Sequence, residues 1–161
     1  MGCLFSCKKK EKVESKSKEE LKNLVTAGSI ITNLSLKLVN NLSLVLKSQT
    51  TSGTTRIALA DVIVPTNNIR HQLYSNFVQT ELHGALCKLV YTGNRDKSNH
   101  NEALLYYTDR EGTEKFFQEE LVKRGLVYAK ELEIQEESKG ILSAAQEKAK
   151  TEKLGMWSTL L

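Results

Sequence analysis

Two short runs, Leu34-Ser35-Leu36-Lys37-Leu38 and Leu42-Ser43-Leu44-Val45-Leu46, carry apolar residues at every second position, with Asn40-Asn41 between them. A two-residue repeat puts the apolar side chains on one face of an extended chain, so each run reads as a half-buried strand. These strands span Ser29 to Val39 and Leu42 to Lys47. Asparagine tolerates positive φ, which makes Asn40-Asn41 the signal for a two-residue hairpin turn.

The rest of the chain extends this start into a fold. Gln49 to Thr54 is a polar loop containing Gly53, and Thr55 to Val64 is a third strand closed by Pro65, the only proline. Asn67 to His83 has helical spacing, with Ile69, Leu73, Phe77 and Leu82 along one side and Gly84 as a stop. Ala85 to Thr92 and Glu102 to Thr108 read as strands joined by a polar turn from Gly93 to His100. A short helix from Phe116 to Lys123 ends at Gly125, and residues 126 to 133 extend. A last helix runs from Gln135 to Leu154, with Ile141, Ala145, Lys148 and Ala149 spaced to lay a narrow side on the sheet. Five strands with helices after the third and the fifth predict an α+β, mainly β fold, a five-stranded OB-type barrel with three helices. It occupies residues 29–158, and residues 1–28 form a lysine-rich tail with a short helix at Lys18 to Val25. The length of 161 residues suits one such domain and a tail.

The net charge of +4 suggests a nucleic-acid partner until it is located. Residues 1–22 hold seven lysines and four glutamates, which leaves the folded part within one charge of neutrality. Indiscriminate binding of phosphates draws on counterion release at a basic surface, so this distribution disfavours it while allowing local patches. No apolar run approaches the thickness of a bilayer. Of the three cysteines, Cys87 lies in an apolar run and reads as a core residue, and Cys3 and Cys7 lack a second pair to complete a zinc site.

The opening Met1-Gly2-Cys3-Leu4-Phe5-Ser6 fits the N-myristoylation pattern, with Gly2 as acceptor and Ser6 where a hydroxyl is wanted. One myristoyl chain holds a bilayer only marginally, so stable attachment needs a second signal. Palmitoylation of Cys3 and Cys7 supplies one, and Lys8, Lys9, Lys10 and Lys12 supply another by attracting anionic head groups. The expectation is a peripheral, lipid-anchored protein on the cytosolic side of a membrane. The plain alternative is a lysine-rich disordered tail with an accidental glycine and cysteines.

The stretch Ala145-Gln146-Glu147-Lys148-Ala149-Lys150-Thr151-Glu152-Lys153-Leu154-Gly155-Met156-Trp157-Ser158 resembles the final helix of the staphylococcal nuclease (thermonuclease) family. Glu120-Leu121-Val122-Lys123-Arg124-Gly125-Leu126-Val127 is similar to that family's short helix and the strand after it, and Arg56-Ile57-Ala58-Leu59-Ala60-Asp61 to its Arg-aliphatic-Asp strand. The resemblance covers about residues 29 to 158 and implies the same OB-type barrel with three helices. Trp157 itself reads as a clasp packing on its own domain.

The resemblance also implies a chemistry to look for, phosphodiester hydrolysis with a calcium ion, a glutamate base and two arginines. Each part has a reason: calcium takes several oxygens, attacking water needs a base, and the charge that develops on phosphorus needs fixed cations. On that pattern the first arginine falls on Arg56 and one metal-ligand aspartate on Asp61. The other calcium-binding turn falls on Asn40-Asn41-Leu42, the base on Val64, and the second arginine on Glu102. Leucine cannot coordinate calcium, valine cannot take a proton, and glutamate repels the charge an arginine would stabilise. Hence Arg56 and Asp61 read as remnants, no cofactor is expected, and calcium enters only if hydrolysis survives.

Two readings remain. One is a non-catalytic interaction module at a membrane, binding lipid surface or a protein partner. The other is a membrane-tethered nucleic-acid-binding protein or calcium-dependent nuclease. Remaining details divide between packing and binding: Asp61 accepts backbone hydrogen bonds near Pro65, or Arg56 forms an anion pocket with His71 or Arg70. His71, His83 and His100 read as surface residues. Tyr91, Tyr106 and Tyr107 are core or rim, or stack bases.

Overall fold

The computed structural model describes residues 26–40 and 42–158. The predicted tail, its acylation residues Gly2, Cys3 and Cys7, its lysines Lys8, Lys9, Lys10 and Lys12, and the helix at Lys18 to Val25 lie outside the described residues.

Among the described residues eight strands form: β1 (Ile30–Asn40), β2 (Ser43–Ser48), β3 (Thr54–Leu59), β4 (Val62–Ile63), β5 (Cys87–Arg95), β6 (Asn101–Thr108), β7 (Glu114–Phe116) and β8 (Tyr128–Ala129). Strands β3, β2, β1, β5 and β6 pair in that order, and β3 also pairs with β6, so five strands close into a barrel. The closing pair is parallel, Ile57 to Asn101 through Leu59 to Ala103, and the other barrel pairs are antiparallel. Closure removes the open edges that a flat sheet would leave. The described residues form three helices, α1 (Asn68–Leu82), α2 (Phe117–Lys123) and α3 (Glu136–Thr151), and a 3-10 turn covers Gly155–Trp157.

β1 serves two neighbours by bending. Ile30 to Leu34 pairs with β5 and Leu34 to Asn40 with β2, with register shifts between Ile31 and Leu34 and between Leu36 and Leu38. Asn33 stands at φ +57 in the first break. Each irregularity tightens the curl that closure needs, and it also breaks the simple alternation. Leu34 is buried, whereas Leu38, past the second shift, is 51% exposed. The hairpin closes one residue later than predicted, because Asn40 itself pairs with Ser43.

The barrel interior is filled by Leu34, Leu44, Leu46, Ile57, Leu59, Leu89 and Leu105; α1 packs against β1 and α3 against α2 and β8, and their Tyr74, Val78 and Leu142 join the same core. Two helix faces depart from the spacing in the sequence. In α1 the buried line is Tyr74, Val78 and Leu82, while Ile69 and Leu73 face solvent. In α3 it is Ser138, Leu142, Ala145 and Ala149, while Ile141 and Lys148 are exposed. Both helices offer two overlapping stripes, and the packing partners, β1 for α1 and α2 for α3, select the one that is buried. The extended region after α2 shrinks to β8, which pairs with β4.

The C-terminal segment is fastened by two glycines laid back to back. Gly125 (φ +68) and Gly155 (φ +53) approach so closely that a Cβ on Gly155 would stand 2.4 Å from the Gly125 carbonyl oxygen. Met156 N–H donates to that oxygen at 2.9 Å. Only glycine permits both the left-handed backbone and the approach. Trp157 then packs edge-on to Tyr128 with Lys150 over its ring, as a clasp on its own domain.

Candidate functional site

The positions that the resemblance singles out come from β3, the β3–β4 junction, the β1–β2 turn and the start of β6. Ile57 and Leu59 point into the barrel, so the alternation of β3 sends Arg56 outward, where it is exposed. Asp61 follows the strand at φ +65, an aspartate using the left-handed region to turn the chain into β4.

That turn buries the Asp61 carboxylate, leaving the residue 2% exposed. Its Oδ1 accepts from the Gln135 N–H at 3.2 Å, and its backbone carbonyl accepts from the Lys130 N–H at 2.9 Å. Asp61 thereby ties the segment ahead of α3 to the barrel, an attachment made at Gln135 and not near Pro65. Among the described residues Oδ2 has no hydrogen-bond partner. Val64 is half-buried against the core and has no group to take a proton.

Glu102 sits opposite Ala58 in the parallel pair and is held by Lys130, Nζ to Oε1 3.3 Å. A carboxylate and its neutralising lysine thus occupy the position where the resemblance asks for a second arginine. Leu42 is 45% exposed at the end of the barrel and offers no oxygen ligand beyond its backbone. Among the described residues, no three His, Cys, Asp or Glu side chains gather as a metal site would require. The residues present therefore do not fit calcium: one carboxylate serves as a structural tie, and the other expected oxygen donors are aliphatic.

Arg56 does gather other neighbours. It shares a cavity of about 220 Å³ with Asn40, Leu42 and Ser43 of the β1–β2 turn and with Asp96, Ser98 and His100 of the β5–β6 loop. His71 and Arg70 are not among its lining residues; Arg70 instead donates to the Tyr128 hydroxyl at 3.3 Å. His100 is not a free surface histidine, since its Nδ1 meets Asp96 Oδ2 at 3.2 Å. The sequence signal for this pairing is Asp96 and His100 four apart around Asn99, which adopts φ +65 and closes the loop.

The remaining candidates resolve into packing. Tyr91 and Tyr107 are buried, and Tyr106 is covered by Phe116 on one side and Lys88 on the other, so the row does not present open faces for bases. Cys87 is buried and its thiol is pushed up to about 12 by desolvation, far from a reactive thiolate.

One residue that the sequence did not flag holds the barrel's seam. Gln118 of α2 is fully buried, accepts from the Leu105 N–H at 3.1 Å, and donates to the carbonyls of Ala103 at 3.0 Å and Ala60 at 3.3 Å. β3 pairs with β6 as far as Ala103 and β7 resumes at Tyr106, and the amide side chain fills the gap between them. A buried glutamine signals such a role only once its strand neighbours are known.

The comparison with curated proteins found no match. A family model described as staphylococcal nuclease homologue matches residues 56–159, from Arg56 through β3, the helices and the tryptophan clasp. With the closed five-stranded barrel and its three helices, that match places the chain in the staphylococcal nuclease homologue family.

Proposed function

We propose that this protein is a non-catalytic interaction module of the staphylococcal nuclease fold, held at the cytosolic face of a membrane by an acylated N-terminus. The observation that carries the non-catalytic half is the employment of the two carboxylates: Asp61 is buried against Gln135, and Glu102 is paired with Lys130. Val64 at the base position and Glu102 in place of a cation support the same reading, because a glutamate there opposes the charge that phosphodiester cleavage develops. The membrane half rests on Gly2 with Ser6, on Cys3 and Cys7, and on Lys8, Lys9, Lys10 and Lys12, three independent signals for a surface that one acyl chain alone holds weakly. In this arrangement the barrel presents itself to a protein or lipid partner near the bilayer.

A paired experiment tests both halves. Full-length protein incubated with calcium and single-stranded DNA or RNA leaves the strands intact; cleavage that disappears in Arg56→Ala refutes the non-catalytic reading. In cells, Gly2→Ala moves the protein to the soluble fraction and abolishes labelling by a myristate analogue; persistent membrane association of that variant refutes the anchor.

A further inference from the structure

Leu132 is 80% exposed, more than any other large apolar side chain among the described residues, and the chain around it is built to keep it there. Residues 131–134 form a loop pinned at both ends to one residue: the Lys130 N–H donates to the Asp61 carbonyl at 2.9 Å, and the Gln135 N–H donates to Asp61 Oδ1 at 3.2 Å. Ile134 packs inward against the core, while Glu133, at φ +55, turns the backbone between the two apolar side chains and leaves Leu132 in solvent. Glu131 and Glu133 flank that leucine, both exposed and neither hydrogen-bonded nor ion-paired to any described residue. The loop is therefore a fixed knob, one leucine between two uncommitted carboxylates.

Beside the knob runs a groove of about 460 Å³, between the β4–β8 pair and the end of α3. Ile63, Tyr128 and Trp157 give it an apolar lining, and Lys130 and Lys150 bring two cations to it. Lys150 lies over the Trp157 ring, and its ion pair is with exposed Glu147, a contact of the kind that contributes little and exchanges readily for another carboxylate. Knob and groove match in both respects: an aliphatic anchor suits the apolar floor, and acidic flanks suit the lysine rim. They also share a border, since Glu131 and Leu132 line the groove's edge. Pinned to Asp61, the knob stays out of the groove of its own chain, so the matching occupant comes from another. Two copies related by a two-fold axis satisfy both halves at once, which is the self-complementary arrangement of an isologous dimer.

We propose that this face is a homodimer interface, with Leu132 of each copy seated in the Trp157 groove of the other and Glu131 and Glu133 set against the other copy's Lys150. The pinned loop loses little freedom on docking, the buried leucine supplies affinity, and the charges around it fix the register. One leucine on each side makes a small, reversible interface whose occupancy follows concentration. At a membrane, pairing joins two acylated tails where one acyl chain holds weakly. That consequence rests on the acylated reading; the pairing itself does not.

The test uses the full-length chain produced without acylation, followed by sedimentation equilibrium and by the emission of Trp157, the only tryptophan and a lining residue of the groove. The wild type should associate as its concentration rises from micromolar towards millimolar, with the emission moving to the blue in step. Leu132→Ala removes two anchors per dimer and should weaken association about a hundredfold, roughly tenfold for each. Glu131→Lys combined with Glu133→Lys, and separately Lys150→Glu, should each leave a monomer of unchanged circular dichroism, because like charges then meet across the axis. Mixing those two monomers should restore a pair, since each knob then faces a groove of opposite sign, a result that loss of folding cannot give. A wild type that stays monomeric throughout, a Leu132→Ala variant that associates equally well, or charge variants that do not combine refutes the interface. Phosphatidylcholine vesicles that shift the Trp157 emission of a monomeric wild type assign the groove to a lipid surface and equally refute the second copy. Because the protein in these assays carries no acyl chain, each result stands apart from the Gly2→Ala fractionation.

Discussion

Replacing Gln118 by methionine keeps the length and helix propensity of the side chain and removes its hydrogen bonds from the place where the barrel closes. The Leu105 N–H then loses the acceptor it has at 3.1 Å, in a stretch of β6 that neither β3 nor β7 pairs. A buried orphan donor costs about 1–3 kcal/mol, the full desolvation penalty of the group. The Ala60 carbonyl loses the donor it has at 3.3 Å, which adds about 1 kcal/mol, whereas the Ala103 carbonyl keeps its bond from the Ala60 N–H at 3.0 Å. The sum is about 3 kcal/mol, with little change in packing. Urea denaturation followed by circular dichroism checks it: with a slope of about 2 kcal/mol/M, the midpoint should fall by about 1.5 M at unchanged slope. A loss below about 0.5 M would refute the argument, because the glutamine would then be filling space and not satisfying the seam.

Gly155→Ala should destabilise by about 3 kcal/mol or more, since its Cβ would stand 2.4 Å from the Gly125 carbonyl oxygen, whereas Gly112→Ala, with φ +83 and open space around it, should cost only about 1–2 kcal/mol; equal melting temperatures for the two variants would refute the back-to-back contact. At Glu120 burial pushes the carboxyl pKa up, but the hydrogen bond from Arg124 and the charges of Lys123, Arg124 and Lys115 outweigh it and hold the pKa below 4.5. A depressed folded-state pKa gives stability that is present above the unfolded value and lost as pH falls through the folded one, so Glu120→Gln should cost about 1 kcal/mol at pH 7 and progressively less as pH drops below 4.5, as read from denaturation midpoints across that range.

The architecture was written plainly in the chain. Period-two runs, single glycine stops and one proline located the five barrel strands and the helices, because each signal acts over a few neighbouring residues. Local signals do not carry which face turns inward or which distant group a side chain meets. The alternation points Leu38 inward, whereas a bulge in β1 turns it out, and Ile69, Leu73 and Ile141 belong to stripes that the fold leaves exposed. At the candidate site, the identities at Leu42, Val64 and Glu102 already spoke against the ancestral chemistry. The occupations of Asp61 and Glu102 did not show, since their partners Gln135 and Lys130 lie far along the chain.

The sequence by itself determined that the chain makes strands that curl, helices that cover them, and an N-terminus with the marks of a lipid address, all properties of local pattern and composition. Tertiary structure alone decided which carboxylate meets which amide, that Gln118 closes the seam, and that Arg56 and His100 line one cavity. Those are distances between residues brought together by closure of the barrel, and no spacing along a chain encodes a distance until the strands have paired.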